Sequence, residues 1–162
     1  MRFWPFASKP VEGVIRPLDP RWFADCAQIH ARFFARAWSV TDFEELARDR
    51  HVIADGAFDG RDKTCFGFAI SRLLAPEAEL LSIAIDSRQQ GRGLGRQLLA
   101  AHIMRLAAQG VREVFLEVEE GNSAAIQLYD RFGFAKVGER AGYYQKKDGS
   151  RAIALVMRVA LS

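Results

Sequence analysis

Three glycines at alternate positions, Gly91, Gly93 and Gly95, stand between an apolar run of strand length and the start of a helix, and they constrain this chain more than any other stretch. The run Leu80-Leu81-Ser82-Ile83-Ala84-Ile85-Asp86 leads into Ser87-Arg88-Gln89-Gln90-Gly91-Arg92-Gly93-Leu94-Gly95, and Arg96-Gln97-Leu98-Leu99 opens the helix. Without Cβ atoms, successive main-chain N–H groups can converge on one anion. The helix adds its unsatisfied first-turn N–H groups and the positive end of its dipole. The arrangement suits a pyrophosphate, although a glycine-rich turn with no ligand has the same composition. A Walker loop needs Lys-Ser or Lys-Thr after the last glycine, where Arg96-Gln97 stands, and the dinucleotide pattern Gly-x-Gly-x-x-Gly fails at Arg96.

The chain of 162 residues is long enough for one domain with a sizeable core. With 49% hydrophobic and 27% charged residues it has the composition of a soluble globular protein. No apolar run approaches the roughly 20 residues needed to cross a bilayer. The opening ten residues are broken by Pro5 and Pro10 and make a poor secretory signal, so a cytoplasmic location is expected. Cys26 and Cys65 lack metal-ligand or Cys-x-x-Cys spacing and read as reduced core residues; the scattered His30, His51 and His102 read as structural, and no metal is expected. The net charge of +3 comes without a long Lys/Arg block, which argues against nucleic acid as a partner and leaves a mild attraction for anionic ligands.

Residues 1 to 12 read as a flexible arm and residues 13 to 162 as the domain. Gly13 to Leu18 predict a strand that Pro17 confines to an edge or end. Trp22, Phe23, Cys26, Ile29, His30, Phe33 and Phe34 recur at helical spacing, predicting a helix from Pro20 to about Ala37 with Asp19 as cap. Thr41-Asp42-Phe43-Glu44 resembles a capping box opening a short helix to about Arg48. Strands follow over His51 to Phe58 and Thr64 to Leu74, joined by a hairpin at Asp59 to Lys63, and a turn at Ala75 to Ala78 leads into the Leu80 strand. The next helix sets Leu94, Leu98, Ile103, Leu106 and Ala107 on its apolar side and stops at Gly110. Val111 to Val118 reads as a strand, Asn122 as the cap of a helix over Ser123 to Phe132, and Phe134 to Tyr143 with Ala152 to Ala160 as a hairpin across Lys146 to Gly149. The order β-α-α-β-β-β-α-β-α-β-β predicts an α/β sandwich around one mixed sheet of about seven strands flanked by about four helices.

Glu117 lies between Leu116 and Val118. Apolar neighbours predict partial desolvation, which raises a carboxyl pKa toward general-base usefulness. The competing reading pairs Glu117 with Arg131 or Arg88. Tyr129, on the helix that Asn122 opens, is a candidate general acid; the alternative is a core aromatic beside Ala125, Leu128 and Phe132.

Gln90-Gly91-Arg92-Gly93-Leu94-Gly95 matches the Gln/Arg-x-x-Gly-x-Gly/Ala loop by which the Gcn5-related N-acetyltransferases (GNAT) hold the pyrophosphate of acetyl-CoA. Leu116-Glu117-Val118-x-x-x-Asn122-x-Ala124-Ala125-Ile126-x-Leu128-Tyr129-x-x-x-Gly133-Phe134 resembles the C-terminal half of these enzymes, most of all the ribosomal-protein-alanine N-acetyltransferases; the likeness covers Glu79 to about Met157. The resemblance implies the GNAT fold and acetyl-CoA as cosubstrate. It implies Glu117 as general base and Tyr129 as general acid. Ile83, Ala84 and Ile85 would hold the pantetheine arm through their backbone in a splay between the Leu80 and Val111 strands, Gln90, Gly91, Arg92, Gly93, Leu94, Gly95 and Arg96 the pyrophosphate, and Asn122 the cofactor or a water. An acetyl group would pass directly to a primary amine in a ternary complex, without a covalent intermediate. The acceptor implied is a protein N-terminus, possible among ribosomal proteins; alternatives are a lysine side chain, a small amine such as an aminoglycoside or polyamine, or a module that binds acetyl-CoA without turnover. Trp38 resembles a family residue near the first helices, Glu119 and Glu120 would attract a basic N-terminus or form an ordinary solvated loop, and Tyr143 and Tyr144 would wall an extended peptide. The protein is expected as a monomer or homodimer.

Overall fold

The computed structural model describes residues 11–61, 63–145 and 148–161, with the side chains of 142–145 outside the description. Residues 1–10 of the arm expected over residues 1 to 12, Asp62 of the first hairpin, and Lys146 and Lys147 of the second lie outside the described residues. The elements are β1 (Val14–Pro17), α1 (Phe23–Phe33), α2 (Val40–Arg48), β2 (Val52–Phe58), β3 (Cys65–Leu74), β4 (Glu77–Ile85), α3 (Leu94–Ala108), β5 (Glu113–Glu119), α4 (Ser123–Arg131), β6 (Ala135–Gln145) and β7 (Arg151–Ala160).

One seven-stranded sheet runs in the order β1-β2-β3-β4-β5-β7-β6. Pairing is antiparallel throughout except between β4 and β5, the strands joined through α3. The expected order of elements and mixed sheet are both present, and β1 lies at an edge, where Pro17 costs no interior ladder bond. Two apolar layers cover the two faces. On one, Leu94, Leu98, Leu99 and Leu106 of α3 and Tyr129 of α4 pack with Ile53, Ala69, Leu80, Val114, Leu116 and Val118. On the other, Phe23, Cys26 and Ile29 of α1 and Phe43 of α2 pack with Phe58, Phe68, Ile70 and Ala84. Cys26 and Cys65 are buried free thiols in this second layer.

β4 changes faces partway along. Opposite β3, Ser82 pairs with Ile70 and Leu80 with Ser71, so Leu81 is an extra residue, a β-bulge. Before it, Ala78 and Leu80 face α3; after it, Ile83 and Ile85 take that side and Ala84 joins the α1–α2 layer with Leu81.

Three local expectations are corrected. The first helix ends at Phe33, where Phe34 turns extended (φ −120°, ψ 133°), four residues short of Ala37; Asp19 caps a short 3-10 turn over Pro20–Trp22 that precedes it. The second helix is capped two residues earlier than Thr41: Ser39 Oγ accepts from the Asp42 N–H, and Asp42 Oδ2 accepts from the Ser39 N–H at 2.8 Å. Ala107 is exposed, and the buried positions on α3 that the apolar pattern missed are Leu99 and His102. His102 Nδ1 lies 2.7 Å from Asp55 Oδ2 and its Nε2 2.7 Å from Ser71 Oγ, while Arg105 also pairs with Asp55.

Candidate active site

The β4–β5 ladder runs from Glu77/Glu113 to Leu80/Leu116 and stops there. β4 continues to Ile85 and β5 to Glu119, so past the bulge the two strands part. The cleft this opens has a volume of about 800 Å³. Its walls are residues 80–85 of β4, residues 116–119 of β5, and Asn122, Ala125, Leu128 and Tyr129 of α4 and its cap.

The glycine loop closes one end. Asp86 anchors it: the carboxylate accepts from the Arg88 N–H at 3.0 Å and from the Arg88 and Arg32 guanidiniums, each at 3.0 Å, which ties the loop to α1. Arg88 above all holds the Asp86 carboxyl below the usual carboxylate range. Gln90 Nε2 donates to the Ile85 carbonyl. Gly91 (φ 76°) and Gly93 (φ 83°) are left-handed, a backbone that residues with a Cβ enter at a cost, and Gly93 is the N-cap of α3. From behind, Gln97 clamps residues 11–13, donating to the Val11 carbonyl at 2.7 Å and accepting from the Gly13 N–H at 2.8 Å.

Of the expected cofactor residues, Ile83, Ala84, Ile85, Gln90, Gly91, Gly93, Leu94, Gly95 and Asn122 line the cleft. Arg92 and Arg96 are not among its lining residues: the Arg92 guanidinium donates to Gln89 Oε1 at 2.6 Å, and Arg96 is exposed on the first turn of α3. Asn122 Oδ1 caps α4 by accepting from the Ala125 N–H.

Glu117, Glu119 and Tyr129 line the same cleft. Tyr129 is 6% exposed and packs its ring 5.7 Å from that of Phe134. The Glu117 side chain is 32% exposed and points from β5 away from α3 and α4, opposite to Leu116 and Val118. Its ion-pair partner is Arg140 of β6, Nε to Oε1 3.1 Å, rather than Arg131 or Arg88.

A second cavity, of about 520 Å³, adjoins the first. It is lined by His30, Arg36, Trp38, Glu79 and Arg151, and it shares Phe34, Ala35, Leu80, Leu81, Ser82 and Glu117 with the cleft. The His30 ring stacks between Phe34 (4.2 Å) and Trp38 (4.6 Å), and its Nδ1 accepts the Trp38 N–H at 3.0 Å. Trp38 thus belongs to this second cavity, and Glu119 to the first. The side chains of Tyr143 and Tyr144 lie outside the described residues. Ser82, Glu79 and His30 escaped the sequence reading of the site; a serine within Leu80-Leu81-Ser82-Ile83 was the available signal for the first.

The chain belongs to the acetyltransferase (GNAT) family, whose model matches residues 22–134, and it is an N-acetyltransferase. The [ribosomal protein bS18]-alanine N-acetyltransferase of Escherichia coli strain K12 is 36% identical over 134 residues, 83% of this chain and 88% of that protein. The enzyme so named from Haemophilus ducreyi is 40% identical over 94 residues, 58% of this chain and 65% of that protein. A crystal structure of the ribosomal-protein-S18-alanine N-acetyltransferase from Escherichia coli superposes with a TM-score of 0.83 at 32% identity, over 93% of this chain and 95% of that one.

Proposed function

We propose that this enzyme acetylates the N-terminal α-amine of a protein, of the ribosomal-protein-alanine type, in the cytoplasm. The observation that carries the reading is the meeting of two cavities at Glu117. One has the glycine loop at its end and a volume of about 800 Å³ for a CoA arm. The other has Trp38 and His30 as an aromatic wall, with Glu79 and Glu117 among its lining beside Arg36 and Arg151, a mixed polar surface suited to an extended peptide terminus. The relatives named for alanine acetylation of a ribosomal protein support the same acceptor.

The residues present suit acetyl-CoA. A Cβ at Gly91 would meet no atom within 4 Å, so the turn presents an open main-chain surface beside the α3 N-terminus. Acetyl-CoA, when bound, supplies a thioester carbonyl. In this reading Gly91, Gly93 and Gly95 hold the pyrophosphate, and the backbone of Ile83 to Ile85 holds the pantetheine and polarises the carbonyl. Glu117 takes the proton of the attacking amine as the N–C bond forms, and Tyr129 gives a proton to the sulfur as the C–S bond breaks. An α-amine, with a pKa near 8 against about 10.4 for lysine, asks little of an exposed carboxylate.

The test is the purified protein with acetyl-CoA and two peptides, one beginning with the alanine terminus of the ribosomal protein bS18 and one with a blocked terminus and an internal lysine. Acetylation confined to the α-amine is expected; preferential acetylation of the lysine overturns the reading.

A further inference from the structure

A polar atom removed from water by folding nearly always finds a hydrogen-bond partner, so an exception calls for an explanation. Ser82 is 6% exposed, and its Oγ has no hydrogen-bond partner among the described residues. It stands just after the Leu81 bulge, which places it with Ala84 toward α1 and α2. Glu117 points to that same side of the sheet, its neighbours Leu116 and Val118 packing toward α3. Both residues line both cavities. An unpaired hydroxyl, shielded from solvent in the free enzyme, therefore stands beside the place where, on the acetyl-transfer reading above, thioester and acceptor nitrogen meet.

We infer that Ser82 Oγ accepts a hydrogen bond from the attacking amine. The neutral amine brings two N–H donors and a lone pair, and Glu117 takes one of those hydrogens as the N–C bond forms. A hydroxyl oxygen has two acceptor lone pairs and carries no charge that would stabilise the unreactive ammonium over the amine. Ser82 holding one N–H on one side, with Glu117 on the other, turns the lone pair toward the thioester carbon. The orphaned atom of the free enzyme is thus satisfied only with acceptor bound, and its binding contribution goes into orientation at the reacting centre.

The inference rests on amine acetylation, and the experiment separates the two. Wild type and Ser82→Ala are compared for melting temperature, acetyl-CoA affinity by calorimetry, and kcat/KM toward an alanine-initiated peptide. The alanine variant is expected to melt at the wild-type temperature or above it, because it loses an unpaired hydroxyl, and to bind acetyl-CoA within twofold. Its kcat/KM for the peptide falls at least tenfold. A fall of less than threefold overturns the role of Ser82 and leaves amine acetylation standing. A lowered melting temperature also overturns it, since the hydroxyl then has a partner in the free protein. If the wild type itself acetylates no amine, the acetylation reading falls and this inference with it.

Discussion

His102 Nδ1 and Asp55 Oδ2 lie 2.7 Å apart between α3 and the sheet, with His102 0% and Asp55 3% exposed. Ser71 Oγ and the Arg105 guanidinium complete the chain at its two ends. Fully partnered, such a network rigidifies a core; robbed of one member, it leaves a buried charge or donor unpaired. Asp55→Ala is expected to destabilise the fold by about 3 kcal/mol and Ser71→Ala by about 1 kcal/mol. Urea denaturation of the two variants measures the difference.

His30 gives stability a dependence on pH. Burial among aromatic rings pushes its imidazole down from 6.5 to about 4, against the pull of Asp42 in the other direction. Its Nδ1 must stay unprotonated to accept the Trp38 N–H. Between those pH values the folded protein binds fewer protons than the unfolded chain. The contribution is therefore whole above pH 6.5 and lost as pH falls through 4. It amounts to about 2 kcal/mol after allowance for solvent screening. In His30→Phe the gap in unfolding free energy between pH 7 and pH 4.5 should narrow by about that amount.

The loop glycines differ in what a side chain costs. At Gly95, inside α3, a Cβ would make ordinary contacts with Leu128 (3.7 Å) and Ile85 (3.8 Å). Gly95→Ala should fold normally and gain up to about 1 kcal/mol of helix propensity. Its acetyl-CoA affinity should hold within about threefold by calorimetry, because the loop pattern accepts alanine at this position and the methyl meets only Leu128 and Ile85. Gly93→Val differs: at φ 83° a β-branched residue is strained, so stability and affinity fall together.

Glu117→Gln is expected to lower kcat by about 100-fold, the usual scale for losing a general base. Acetyl-CoA affinity should hold. The melting temperature should hold as well, because the Glu117–Arg140 pair lost in the variant is exposed and such pairs add little. Stopped-time assays with an alanine-initiated peptide measure the first quantity and calorimetry the second.

Much of this architecture was legible in local chemistry. Asn122 and Asp19 cap where their side chains predict, Gly133 is left-handed past α4, and Pro17 sits on an edge strand. Local patterns fell short where tertiary context decides. Helical spacing persists to Phe34, yet the chain leaves α1 at Phe33, and residues 33–35 line the cleft. The apolar neighbours of Glu117 face α3, so they say nothing about its own side of the sheet, which is open. Asp55, Ser71 and His102 lie on three elements and share no spacing that a sequence window could detect.

The bulge at Leu81 gives β4 two reading frames. Upstream, even-numbered side chains address the helix that carries the glycine turn; downstream, they address the opposite layer. Removing Leu81 alone would leave Leu80 and Ser82 consecutive opposite Ser71 and Ile70, with Ser82 and Ala84 still toward α1 and α2 and Ile83 and Ile85 still toward α3. Removing Ile83 instead would use up the bulge and turn the Ser82 hydroxyl under α3, so strand β4 has one dispensable position and it is the supernumerary one.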